Sequence, residues 1–296
     1  MRNFRELLKA QWEKGNFVCV GLDSEYEKIP DVVRHNDITT AITHFNRDIV
    51  EATKDIVCAY KANFAFYAAH VTQGLSALKD TMDWIRDLAP NVPMILDIKV
   101  DIENTNNGYA KMAFDSLEVD AITVNPYLGG KALHPFFNRK GKGVIVLCKT
   151  SNSGAGEFQD LLIAMDDPSR VGAEHAYFGQ KIPLYQYVAY HARGEWNANG
   201  NCGVVMGATC PPKELKRVRE IVGDIPILFT GVGFQQKDIP LEEQVKRVVE
   251  NGKNSLGQGM IVNSSRGIIF ASKGADFAEA ARRETIKLRD LINQYR

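Results

Sequence analysis

Net charge is absent from this chain of 296 residues, in which 36 Lys and Arg balance 36 Asp and Glu. A balanced surface offers no bulk attraction to nucleic acid or to an anionic membrane, so neither is expected as a partner. Long apolar runs are missing too. None approaches the ~20 residues that cross a bilayer. The opening Met1-Arg-Asn-Phe-Arg-Glu lacks the apolar core of a secretion signal, and a cytoplasmic location is expected. Cysteine is scarce, with Cys19, Cys58, Cys148, Cys202 and Cys210 only. The odd count, without any CxxC pair, argues against a disulfide framework and for buried, reduced thiols. No His or Cys pair has zinc-ligand spacing, so no metal is expected. No low-complexity linker interrupts the chain, and a single domain over 1–296 is expected.

What is present is a rhythm. With 45% hydrophobic residues a sizeable core is available. Short apolar runs occupy residues 17–22, 55–60, 92–98, 121–125, 143–148, 202–206, 225–229 and 259–262. Amphipathic stretches separate them, at 38–52, 74–88, 109–117, 184–197, 212–222 and 241–250. An N-terminal helix is expected within 1–15 and a closing helix within 274–296. Strands alternating with helices imply right-handed βαβ units and a parallel sheet. Eight repeats in about 250 residues match a (β/α)₈ TIM barrel. The runner-up, an open doubly wound sheet, calls for GxGxxG after the first strand, where this chain has Gly21-Leu22-Asp23-Ser24-Glu25. The longest irregular stretch, 152–181, reads as a loop with short helices over the top of the barrel.

A barrel gathers its chemistry at the C-terminal ends of its strands. Polar residues stand after nearly every apolar run: Asp23, then Lys61-Ala-Asn63, then Asp97, Lys99 and Asp101, then Asn125, Lys149-Thr-Ser-Asn152, Gly207-Ala-Thr209, Gly231-Val-Gly233-Phe-Gln235 and Asn263-Ser-Ser-Arg266. Any one of these reads equally well as a solvated loop residue or a helix N-cap; eight together do not. The third is the most informative. Val92-Pro-Met-Ile-Leu96 is core material, yet Asp97, Ile98 and Lys99 follow at once. Residues two apart in a strand share a face, so Asp97 and Lys99 are expected to pair. Lys61 has apolar neighbours on both sides, and a lysine is rarely buried without a partner; Asp97 is the candidate. Gly231 and Gly233 would let backbone amides approach an anion. Arg266 precedes a stretch that could begin a helix and would grip phosphate bidentately.

These residues resemble a known family, the orotidine 5′-phosphate decarboxylases, in their longer bacterial branch. The likeness runs from about Phe17 to Phe270 through Val20-Gly-Leu-Asp23, Tyr60-Lys-Ala-Asn-Phe-Ala-Phe-Tyr67, Leu96-Asp-Ile-Lys99, Asp101-Ile-Glu-Asn-Thr105, Thr123-Val-Asn-Pro-Tyr127, Lys149-Thr-Ser-Asn152, Val205-Met-Gly-Ala-Thr209, Gly231-Val-Gly-Phe-Gln235 and Val262-Asn-Ser-Ser-Arg266. The resemblance implies a homodimeric barrel that converts orotidine 5′-monophosphate to uridine 5′-monophosphate and CO₂ without cofactor, in the last step of de novo pyrimidine synthesis. It implies that Lys99 protonates C6 of the pyrimidine, that Asp97 sits near the substrate carboxylate, and that Lys61 holds the array and contacts the ribose. Asp101 and Thr105 would enter the partner subunit's site. Asp23 would bind the ribose, Ser151 with Asn152 the pyrimidine edge, and Gln235 with Arg266 the phosphate. Residues 234–240 would form a lid closed by phosphate binding.

One departure stands out. The family pattern Asp-x-Lys-x-x-Asp is one residue longer than Asp97-Ile-Lys99-Val100-Asp101. At ~3.3 Å per strand residue, Asp101 would be displaced unless the turn compensates. Two alternatives follow: a magnesium-dependent sugar-phosphate lyase of the same barrel group, and a non-catalytic nucleotide-binding barrel.

Overall fold

The computed structural model describes residues 2–100, 103–166, 179–233 and 238–296. Eight parallel strands close into a barrel: β1 (Val18–Gly21), β2 (Ala59–Asn63), β3 (Met94–Val100), β4 (Ala121–Val124), β5 (Gly143–Lys149), β8 (Cys202–Gly207), β9 (Ile227–Thr230) and β10 (Met260–Ser264), with β10 pairing back onto β1. This is a (β/α)₈ TIM barrel, as the alternation predicts. Every residue of β1, β4, β8 and β10 is buried, the pattern of a sheet covered on both faces.

The helices follow from local chemistry. The Asn3 side chain accepts from the amides of Arg5 and Glu6 and starts the helix Phe4–Glu13; Asp37 does the same for Ile38–Thr53 through Thr40. Each satisfies amides that a helix start would leave unpaired. Helices Pro212–Val222 and Phe277–Tyr295 begin and end where the apolar periodicity places them. Closure is reinforced at the base, where Trp12 Nε1 donates to the Met260 carbonyl at 2.8 Å.

Three expectations need correction. The run 55–60 is not itself a strand. Residues 54–58 form the turn after a helix, and β2 starts at Ala59, so Lys61 and Asn63 lie within the strand rather than beyond it. The segment 109–117 is a short helix, Asn106–Ala110, continued by one wide turn, Lys111–Ser116. Among its described residues the stretch 152–181 holds the short helix Gly156–Gln159, but also the first strand, β6 (Leu162–Ala164), of an antiparallel ribbon completed by β7 (Lys181–Pro183). Residues 167–178 of that stretch lie outside the described residues.

Two register slips shape the top of the barrel. Leu96 pairs with Ile122 and Val100 with Val124, so four steps along β3 match two along β4. Within this bulge Lys99 has φ 58°, a left-handed conformation that disfavours any residue with a Cβ by roughly 1–2 kcal/mol. A smaller slip occurs where Leu147 and Lys149 of β5 pair with Val205 and Met206 of β8. Bulges re-aim side chains next to active sites.

Candidate active site

The strand ends of the barrel surround a cavity of ≈ 470 Å³, lined by Asp23, Lys61, Asn63, Asp97, Lys99, Thr123 and residues from β5, β8, β9 and β10. Its charged end is a chain of contacts. Lys61, 3% exposed, places Nζ 2.9 Å from Asp97 Oδ2 and 3.7 Å from Asp23 Oδ1. Lys99 Nζ lies 2.5 Å from Asp97 Oδ1. Thr123 Oγ1 donates to that same Oδ1 at 2.8 Å. Burial by itself pushes the Asp97 carboxyl up, but the two ammonium groups outweigh it and hold the carboxyl well below the usual range. Burial likewise disfavours the Lys61 cation; Asp97 and Asp23 overcome that and raise its pKa. Asp97 and Lys61 therefore stay charged at neutral pH inside a site of reduced dielectric, where charge acts more strongly than in water. Lys99 differs from Lys61 in being 43% exposed in its side chain, so it can meet both a bound ligand and solvent.

Two oxygens in the cavity lack donors. Asp23 Oδ1 and Asn263 Oδ1 are buried, and neither has a hydrogen-bond partner among the described residues. A buried acceptor left unmade costs ~1–3 kcal/mol, and both oxygens are able to accept hydroxyl or amide hydrogens.

The opposite wall is the loop after β5. The Thr150 amide donates to Gln159 Oε1 at 2.9 Å, and Gln159 Nε2 returns to Thr150 Oγ1 at 3.0 Å. This clamp turns Ser151 and Asn152 toward the cavity, which both line. Lys149 does not join them. Its Nζ reaches Asp160 at 2.5 Å and Glu214 at 2.7 Å, over the Tyr185 ring. Burial would push that ammonium down, and the two carboxylates hold it up. Lys149 is thus an anchor for the loop rather than a cavity group.

Arg266 lines the cavity with Gly231, Val232, Ser264 and Ser265, at the start of the helix Arg266–Ile269 that the sequence anticipates. Gly231 has φ 89° and Gly233 φ 79°; both need glycine. The Gly233 amide, however, is taken by Gln244 Oε1 at 3.0 Å, so it is not available to an anion as the sequence suggests. Asp101, Gln235 and residues 234–237 of the expected lid lie outside the described residues. Thr105 is exposed and is not part of this cavity wall.

Sequence reasoning missed several contributors. Thr123 reads as an ordinary β-branched strand residue, and Asn63 was noted only as a polar strand end. Gly207 is a further case: a Cβ there would lie 2.8 Å from the Ser151 backbone. Gly207→Ala is therefore expected to force the Ser151 backbone aside, with a loss of roughly 1–3 kcal/mol in stability read from thermal melts and a disturbed site read from steady-state kinetics. The five cysteines are buried and free. Burial pushes the Cys19 and Cys202 thiols up to about 12 and Cys210 up to about 11, which leaves them protonated and poor nucleophiles. Among the described residues no cluster of three His, Cys, Asp or Glu side chains could hold a metal ion, and no helix is long and apolar enough to cross a membrane.

Known proteins are similar to this chain over nearly its whole length. The model of the orotidine 5′-phosphate decarboxylase / HUMPS family matches residues 16–283. The orotidine 5′-phosphate decarboxylase of Cellvibrio japonicus is 41% identical over 293 residues, covering 98% of each chain. That of Ralstonia pickettii is 42% identical over 295 residues, covering 99% of each. The structure of Leishmania donovani OMP decarboxylase superposes with a TM-score of 0.76 at 32% identity, covering 98% of this chain and 99% of that one. By fold and by full-length identity, the chain belongs to the orotidine 5′-phosphate decarboxylase family.

Proposed function

We propose that the chain decarboxylates orotidine 5′-monophosphate to uridine 5′-monophosphate, the last step of de novo pyrimidine synthesis, as one cytoplasmic barrel domain. The observation that carries this reading is the Lys61–Asp97–Lys99 array, charged and largely enclosed, in a chain of this family. Loss of CO₂ breaks the bond between C6 and the carboxyl carbon and leaves the electron pair on C6. The Lys99 ammonium then gives its proton to C6 and recovers one from solvent, to which it is open. Lys61 and Asp97 hold that ammonium in place before the charge develops, which is where preorganised charge acts most strongly. Asp23 and Asn263 offer acceptors for ribose hydroxyls. Ser151 and Asn152 would face the pyrimidine edge, and Arg266 with Gln235 the phosphate.

The test is the ultraviolet absorbance of orotidine 5′-monophosphate with purified protein and a chelator present. Turnover indifferent to chelator is expected. If no turnover is seen, binding of uridine 5′-monophosphate would favour a non-catalytic nucleotide-binding barrel, and failure to bind it would favour the magnesium-dependent sugar-phosphate lyase. Arg266→Ala is expected to raise KM about 10- to 100-fold, because a charge-assisted hydrogen bond contributes ~1.5–3 kcal/mol, with a smaller change in kcat. A KM equal to that of the wild type would remove Arg266 from the phosphate site.

We also infer a homodimer, with Asp101 and Thr105 contributed across the interface. Tyr127, Leu128, Phe158, Leu161 and Leu162 are each at least half exposed and lie on the loops after β4 and β5. Tyr127 and Phe158 meet edge to face at 6.4 Å. The loop bearing Thr105 packs against the same region, since Asn106 Nδ2 donates to the Ala132 carbonyl at 2.6 Å. An apolar patch of this kind favours association. A monomeric mass in solution at micromolar concentration would refute it.

A further inference from the structure

We propose that Thr123 is the positioning residue of the charged array, fixing both the Asp97 carboxylate and the backbone turn from which Lys99 projects. Thr123 lies on β4, is fully buried, and carries no charge. Its hydroxyl has three partners. It accepts from the Ile98 amide at 3.0 Å and the Lys99 amide at 3.2 Å, and it donates to Asp97 Oδ1 at 2.8 Å. A threonine hydroxyl has one hydrogen and two lone pairs. The two amides can only donate, so they occupy both lone pairs. The single hydrogen is thereby directed to Asp97.

The position of these bonds gives them their consequence. Ile98 and Lys99 sit inside the β3 bulge, where the β3–β4 ladder slips between Leu96 and Val100 and leaves amides without ladder partners. Lys99 is there held at φ 58°. A left-handed lysine persists only when its surroundings over-determine it, and Thr123 supplies two of the bonds that do so. The same hydroxyl occupies Asp97 Oδ1 beside the Lys99 ammonium, while Lys61 takes Oδ2. Each oxygen of the carboxylate is thus held, and its plane is set relative to Lys99. Thr123 acts on the reaction through Asp97 and the 98–99 backbone, without needing to touch the substrate.

This inference rests on the decarboxylase reading, and wild-type turnover tests that reading separately. The test of Thr123 is a comparison of Thr123→Ser with Thr123→Ala. Both lose the γ-methyl group; they differ only in the hydroxyl. Thr123→Ser is expected to keep kcat within about threefold of wild type, and Thr123→Ala to lose on the order of 10- to 100-fold, the scale on which ~1 Å misplacement acts. KM is expected to stay within about threefold in both, because the groups that hold the nucleotide elsewhere in the cavity are unchanged. Thr123→Val, which restores the shape without the hydroxyl, is expected to match Thr123→Ala. Equal kcat in the Ser and Ala variants would overturn the proposal. So would a loss carried by KM alone. Failure of both Ala and Val variants to fold, with Ser intact by thermal melt, would assign the hydroxyl to stability and overturn it as well.

Discussion

Lys99→Ala is expected to lower kcat by at least ~10³-fold, the scale of a lost general acid combined with a lost preorganised charge. Binding of uridine 5′-monophosphate should survive in part, because Asp23, Ser151, Asn152 and Arg266 remain around the cavity. Single-turnover kinetics and calorimetric titration with the product separate the two effects. Turnover near the wild-type rate would reject Lys99 as the proton donor. The left-handed backbone adds a second expectation. Lys99→Gly should be as inactive as Lys99→Ala yet melt at a higher temperature, because glycine accepts φ 58° without the Cβ penalty. An alanine variant more stable than the glycine variant would contradict the strain at this position.

Asp97→Asn is expected to cost both activity and stability. The carboxylate neutralises two ammonium groups, and one of them, Lys61, is 3% exposed. Removing one partner of a buried pair typically costs 3–5 kcal/mol. Asp23, at 3.7 Å from Lys61, should keep the loss near the lower end, at about 3 kcal/mol. The sign with pH follows from linkage. The Asp97 carboxyl titrates below its ordinary range in the folded protein. Its stabilisation is therefore fully present above the unfolded value of about 4 and fades as pH falls through that value toward the lower folded one. The gap in stability between wild type and Asp97→Asn, read from denaturant melts, should be widest above about pH 5 and shrink below about pH 4. A gap independent of pH would mean that the carboxylate is not the stabilising form.

Much of this molecule is legible in its sequence, for identifiable reasons. The barrel is readable because each parallel strand is buried on both faces and so appears as a short apolar run. Lys61 and Asp97 stand out because ionised side chains interrupt such runs. The errors arise where burial and conformation part company. Residues 56–58 are as buried as a strand, yet they belong to a turn. The ribbon of β6 and β7 pairs segments far apart along the chain, with no continuous apolar alternation to announce it. Thr123 and Gly207 matter through what faces them from neighbouring strands, a relation fixed by register and invisible to spacing along one strand. The shortened Lys99-Val100-Asp101 turn was legible as a deletion; the bulge beside it was not.

Closure of β10 onto β1 has a consequence for how the protein must be made. Val20 and Ser264 are neighbours although 244 residues separate them, and Arg266 follows directly on the last stave. A nascent chain halted before β10 would lack both the seam and the proposed phosphate contact of Arg266, however well its earlier lysines were arranged. The barrel therefore cannot close until β10 has been made, and truncations that remove β10 together with residue 266 are expected to yield chains that neither bind uridine 5′-monophosphate nor melt cooperatively.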